Sequence, residues 1–124
     1  MSARAPLALI LIGADAARLR AALILARAEL ALGGEARLFL QGEAAALLRP
    51  PVSDPRDADW TAAGEPSLAV LLDAALSDGV TLSLCQSGLA MARMDAATLD
   101  PRIMLSGPIA FLAAAGPDSR LLAL

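Results

Sequence analysis

Cys85 is the only cysteine in the chain, and it stands at the head of Cys85-Gln86-Ser87-Gly88. Ahead of it, Val80–Leu84 alternates Val80, Leu82 and Leu84 with Thr81, Ser83 and Cys85, the period of a β-strand. After it, Ser87 to Met94 carries a helical pattern. A thiol between a strand end and a helix start meets unpaired backbone N–H groups and the positive end of the helix dipole, both of which favour the thiolate. Gln86 and Ser87 could donate hydrogen bonds, Gly88 leaves room for a second sulfur near the backbone, and Arg93 is a candidate cation. The plainer reading makes Cys85 a half-buried structural residue, since free cysteine packs like a small hydrophobe. The residues leave both readings open.

Composition removes many other chemistries. The chain contains no His, Lys, Asn or Tyr, and all ten basic residues are Arg. Without His there is no Ser–His or Cys–His couple. Without Lys there is no Schiff base and no phosphate-loop lysine. One Cys and no His argue against a zinc site, and an intrachain disulfide is impossible. No GxGxxG occurs, and a receiver domain would need an acidic cluster after the first strand, where Asp15 stands alone. Asp54, Asp57 and Asp59 lie close together but lack the glycine and terminal glutamate of a calcium loop, so they read as a solvated acidic turn. No metal and no cofactor are expected.

With 13 acids and 10 arginines scattered along it, the chain has a net charge of −3 and no basic cluster for nucleic acid. Its apolar runs are far shorter than the roughly 20 residues that span a bilayer. Leu7–Ile12 after Arg4 superficially resembles a signal peptide, but Asp15, Arg18 and Arg20 break the pattern. A cytoplasmic protein without membrane attachment is the expectation. Hydrophobic residues make up 57% of the chain, against a usual range of roughly 45–50%. So large an excess in a small domain points to surface buried between subunits.

The elements that must position Cys85 follow from periodicity. Leu7–Ile12 is a strand buried on both faces. Asp15 caps a helix whose Leu19, Leu23, Ala26 and Leu30 share one face, with Arg18, Arg20, Arg27 and Glu29 mostly off it; Gly33-Gly34 ends it. Glu35–Gly42 is the second strand, and Ala44–Leu48 a short helix stopped by Pro50-Pro51. Residues 49–65 read as one long irregular segment, a lid or interface element with Trp60 as its anchor. A helix opening at Pro66 buries Leu68, Leu71, Leu72 and Ala75. The remaining strands are Val80–Leu84, Arg102–Leu105 and the segment from Arg120, with a helix capped by Ser106 between the last two. This alternation predicts one domain over 1–124: a flavodoxin-like three-layer α/β/α sandwich with a five-stranded, mainly parallel sheet of order 2-1-3-4-5.

Ligands of such sheets sit beyond the carboxyl ends of the strands. Gly13, Asp15, Gln41, Gln86, Ser87 and Gly88 fall there and are the candidate binding residues around Cys85, and the order 2-1-3-4-5 places Cys85 opposite the Gly13 loop.

Taken in order, "LALILIG", "ALGGEARLFLQGEAAALL", the loop with Trp60, "LSDGVTLSLCQSGLA" and "IMLSGPIAFLAAA" resemble the DsrE/DsrF-like family of small sulfur-relay and related proteins over nearly the whole chain. The resemblance implies homotrimers or homohexamers, or hetero-oligomers of related subunits. It also implies that Cys85 occupies the place of the sulfur-carrying cysteine, which takes sulfane sulfur as a persulfide from a donor and passes it to an acceptor protein. Many relatives have no assigned activity, and a non-enzymatic oligomeric binding or regulatory module with a structural Cys85 is the alternative.

Overall fold

The computed structural model describes residues 4–124. Strand β1 (Leu7–Ile12) leads through Gly13 to helix α1 (Ala16–Ala31), whose first turn is capped by the Asp15 carboxylate accepting the Ala17 N–H at 2.9 Å. Strand β2 (Ala36–Gln41) runs into a 3-10 helix over Gly42–Leu48. Next come α2 (Asp57–Ala62), α3 (Leu68–Asp78), β3 (Thr81–Cys85) and α4 (Gln86–Met91). A 3-10 turn at Ala96–Thr98, β4 (Met104–Ser106), α5 (Pro108–Ala115) and β5 (Arg120–Ala123) complete the chain.

All five strands are parallel, with helices on both faces of the sheet, so the fold is of the flavodoxin-like α/β class. Their order is β4-β3-β2-β1-β5 rather than 2-1-3-4-5. After β2 the chain keeps moving outward to β3 and β4 instead of stepping back past β1. Because each crossover is right-handed, the helices of these three steps must share one face. They do: α1, α3 and α4 bury Leu19, Leu23, Leu71, Leu76 and Leu89 against Leu9, Leu11, Leu38, Leu40, Leu82 and Leu84. Among the described residues only α5, on the return from β4 to β5, lies on the other face, where Phe111 and Ala115 meet Ala8, Phe39 and Cys85.

That single helix is too short for its face. Eight residues span about 12 Å, whereas β4 and β5 lie four strand spacings apart, about 19 Å. Ile12, Met104 and Leu121 on this face therefore stay at least half exposed, and Ile109 on the outside of α5 is 87% exposed.

Smaller differences from the expected elements have local causes. The 49–65 segment contains α2, which buries none of its own residues. Helix α3 starts two residues after Pro66, because the Ser67 hydroxyl takes the cap by accepting the Val70 N–H. Strand β4 starts at Met104 because Asp100 folds Pro101–Ile103 into a turn, its carboxylate accepting the Arg102 N–H and its carbonyl the Ile103 N–H. Gly107, not Ser106, is the N-cap of α5, with Pro108 in the first turn.

The edge strand β5 and the approach to β1 are tied to α1 through one buried carboxylate. Glu29 accepts from Arg4 at 2.6 Å and pairs with Arg120 at 2.7 Å. A Cβ on Gly34 would overlap this carboxylate, so position 34 has to be glycine for Glu29 to reach both arginines. Hydrogen bonds from Arg4 and Arg120 hold the Glu29 carboxyl down at about 2. A depressed carboxylate stabilises fully above its unfolded value of about 4.3 and loses that contribution as pH falls through its folded value. The urea midpoint should accordingly fall as pH drops from about 5 to about 2.5. Glu29→Gln should start lower at pH 5 and vary less over that range; a variant as pH-sensitive as the natural chain would contradict this role.

Candidate functional site

The carboxyl edge of the sheet carries a row of strand ends. Cys85 pairs in register with Ser106 of β4, and on its other side the register runs from Leu40–Leu84 to Gln41. Gln41 pairs in turn with Ile12 of β1. Cys85 is the last residue of β3 and the N-cap of α4, so its sulfur sits where the backbone changes from extended to helical.

The thiol is 2% exposed, packed in a small cluster with Ala8, Phe39 and Phe111, whose rings stack at 5.1 Å between centroids. Burial pushes the thiol pKa up. The backbone N–H groups of Gly42, Gly88 and Ser87, with the Ser87 hydroxyl, act against it and outweigh it, so the Cys85 thiol ends below its ordinary value. These donors come from two elements, the start of the 3-10 helix after β2 and the first turn of α4.

Gly88 is what lets those elements meet. A Cβ there would overlap the Gly42 carbonyl oxygen and stand 2.9 Å from the Ala45 Cβ. The room expected beside Gly88 for a second sulfur is thus filled by the Gly42 backbone, and the glycine serves the packing of α4. Gln86 and Ser87 are exposed on the rim, and Gln41 is partly exposed beside them.

Gly13 and Asp15 do not join this group. With β2 lying between β1 and β3, the β1 end is two strand spacings from Cys85, about 10 Å. Asp15 is occupied as the cap of α1 and pairs with Arg18 at 3.6 Å. The candidate residues divide accordingly: Gln41, Gln86, Ser87 and Gly88 surround Cys85, while Gly13 and Asp15 belong to a separate rim. Arg93 lies at the far end of α4 rather than at the thiol.

A second cluster is absent from the periodicity reading. Arg20, expected off the apolar stripe of α1, is 4% exposed. Its guanidinium stands 3.9 Å from Asp54 and 3.7 Å from Asp57 and lies 4.5 Å from the centre of the Trp60 ring. The Asp57 carboxylate also accepts the N–H groups of Asp54 and Leu68, each at 2.9 Å, which hold its carboxyl below the ordinary range against the opposing effect of burial. Two of the three acids read as a solvated turn therefore hold the 49–65 segment to the body. The signal available in the sequence was a tryptophan and three acids in one loop, with no partner nearby in the chain.

This doubly wound parallel sheet, helical on both faces and rimmed by Cys85, Gln41 and Ser87 at its carboxyl edge, sets the class of the protein as a flavodoxin-like α/β domain. The same fold occurs in the crystal structure of the ychN protein from E.coli, with a TM-score of 0.70 over 98% of this chain and 100% of that one, at 17% sequence identity. No protein-family model and no curated protein matches the chain. Among the described residues, no helix is long and apolar enough to cross a membrane.

Proposed function

We propose that this is a cytoplasmic DsrE-like protein that works as a homotrimer or homohexamer and carries sulfane sulfur on Cys85. The observation behind this reading is the position of Cys85, last residue of β3 and N-cap of α4, where the N–H groups of Gly42, Gly88 and Ser87 act to lower its pKa in spite of burial. In the reaction, the Cys85 thiolate attacks the terminal sulfur of a donor persulfide, R–S–SH. The donor S–S bond breaks, R–S⁻ leaves, and Cys85 keeps the sulfur as Cys–S–SH. An acceptor thiolate then takes that sulfur in the same way and regenerates the Cys85 thiolate. Gln86 and Ser87, exposed on the rim, are the groups a donor would meet first.

Assembly fits the face that α5 leaves uncovered. Ile12, Met104, Ile109, Leu112 and Leu121 are all exposed around it. Together they make an apolar surface of the kind that a subunit contact covers.

A second reading rests on a different observation. Cys85 is 2% exposed beneath Phe39 and Phe111, the setting of an inert structural cysteine. In that case the protein is an oligomeric binding or regulatory module without covalent chemistry.

Native mass spectrometry after incubation with a persulfide donor separates the two. The proposal expects a trimer or a multiple of it, with each subunit heavier by one sulfur atom and no gain for Cys85→Ser. Only a 12.6 kDa species would refute the assembly. An equal gain in Cys85→Ser, or none in the natural chain, would refute sulfur carriage.

A further inference from the structure

Seven of the ten arginines are within ion-pair reach of a carboxylate: Arg4, Arg18, Arg20, Arg27, Arg56, Arg102 and Arg120. Among the described residues, Arg37, Arg49 and Arg93 are not. Two of these three, Arg49 and Arg93, line one cavity of about 480 Å³ together with Pro50, Met94, Asp95 and Thr98. The one acid on its wall is committed to a turn, since the Asp95 carboxylate accepts the Ala97 N–H at 3.0 Å. Two cations thus face a cavity with a single carboxylate to balance them.

The backbone holds Arg93 there against its own preference. Helix α4 ends in a Schellman turn, with Met94 N–H donating to the Leu89 carbonyl and Arg93 N–H to that of Ala90. Arg93 takes the left-handed position of that turn, with φ 53. Among the described residues every other positive-φ position is glycine, including those after α1 and α3. A Cβ is disfavoured in this conformation, so the side chain at 93 is kept at a steric cost. Complementing the negative end of α4 does not require it, because Arg49 already donates through Nη2 to the Ala92 carbonyl. That bond also fixes Arg49 beside Arg93 and leaves its remaining N–H groups free for another acceptor.

We infer that the Arg49–Arg93 cavity binds a small phosphate monoester. Guanidinium forks match phosphate oxygens in charge and geometry, and a doubly charged group reverses the repulsion between the two arginines. The volume is within the range of small-ligand sites, roughly 300–1,000 Å³. Pro50 and Met94 offer apolar surface to the organic part of the ester. The site is separate from Cys85 and stands whether or not that thiol carries sulfur.

Amide-resolved NMR titration of the full chain with phenyl phosphate and with inorganic phosphate, at constant ionic strength with chloride as control, tests this. The expected result is saturable shifts at Arg49 and from Arg93 to Thr98, with phenyl phosphate tighter than inorganic phosphate. Arg93→Gly should weaken binding at least about tenfold, the loss of one charge-assisted hydrogen bond. The same variant should melt higher by about 2–4 °C, because glycine takes the left-handed position without strain. A linear response with no saturation, or equal affinity in Arg93→Gly and the natural chain, would overturn the site.

Discussion

Replacing Arg20 by Met should unfold the protein at markedly lower urea, with a loss of about 3 kcal/mol. Arg20 is buried, and two of its nitrogens, Nε and Nη2, have no hydrogen-bond partner among the described residues. Its carboxylate partners stand at 3.7 and 3.9 Å, beyond direct hydrogen bonds. The guanidinium is therefore held by charge and by the Trp60 ring rather than by a full set of donors and acceptors. Such a group costs a good deal to desolvate, and removing it alone is worse than having it, because the buried Asp54 is then left facing apolar surface without a cation. The cation–π contact with Trp60, about 1 kcal/mol, is lost with the charge. Since α2 buries no residue of its own, the loss of Arg20 should loosen residues 54–62 before the rest of the chain. Urea unfolding followed by Trp60 fluorescence and by far-ultraviolet circular dichroism measures both effects. The fluorescence transition of Arg20→Met should come first. A loss under about 1 kcal/mol, or coincident transitions, would show that the cluster does not hold the segment.

The same cluster marks where the sequence stops being legible. Leu7–Ile12 could be bounded to the residue, because an unbroken apolar run ending at glycine has few other readings. The faces of β3 were equally plain, since Leu82 and Leu84 alternate with Thr81, Ser83 and Cys85. A strand with one leucine face and one small, polar face suits a sheet covered by several helices on one side and by one on the other. Alternation of strands and helices does not separate the two orders, because it is the same in both. Arg20 and Trp60 could not be joined from the sequence, because they lie on elements 40 residues apart. Helix α2 has no apolar stripe and exists through that contact. At the site, Cys85 and the start of α4 were readable from the strand pattern. The Gly42 N–H beside the sulfur was not, because it depends on β2 being the neighbour of β3. For the same reason Gly88 read as open space when it is filled by the Gly42 backbone.

Cys85 should be a stronger acid than a free thiol although it is buried. The sign follows from the groups around it: burial favours the neutral form, and the N–H groups of Gly42, Gly88 and Ser87 with the Ser87 hydroxyl favour the thiolate and prevail. Stability is linked to this in the same direction. The contribution of Cys85 is full above the unfolded thiol value of about 8.5 and is lost as pH falls through the lower folded value. Only the thiolate reacts with an alkylating agent, so the rate follows the ionised fraction and should change by orders of magnitude across the titration. Burial scales every rate by the same access factor and leaves the midpoint untouched, so the shape of the profile is what matters. The direct measurement is the rate of iodoacetamide modification of Cys85 against pH, in the folded chain and in the same chain unfolded in urea. The folded midpoint should lie below the unfolded one of about 8.5 and return towards it in Ser87→Ala. A folded midpoint at or above the unfolded value would mean that burial prevails, and would contradict the thiolate and the sulfur chemistry built on it.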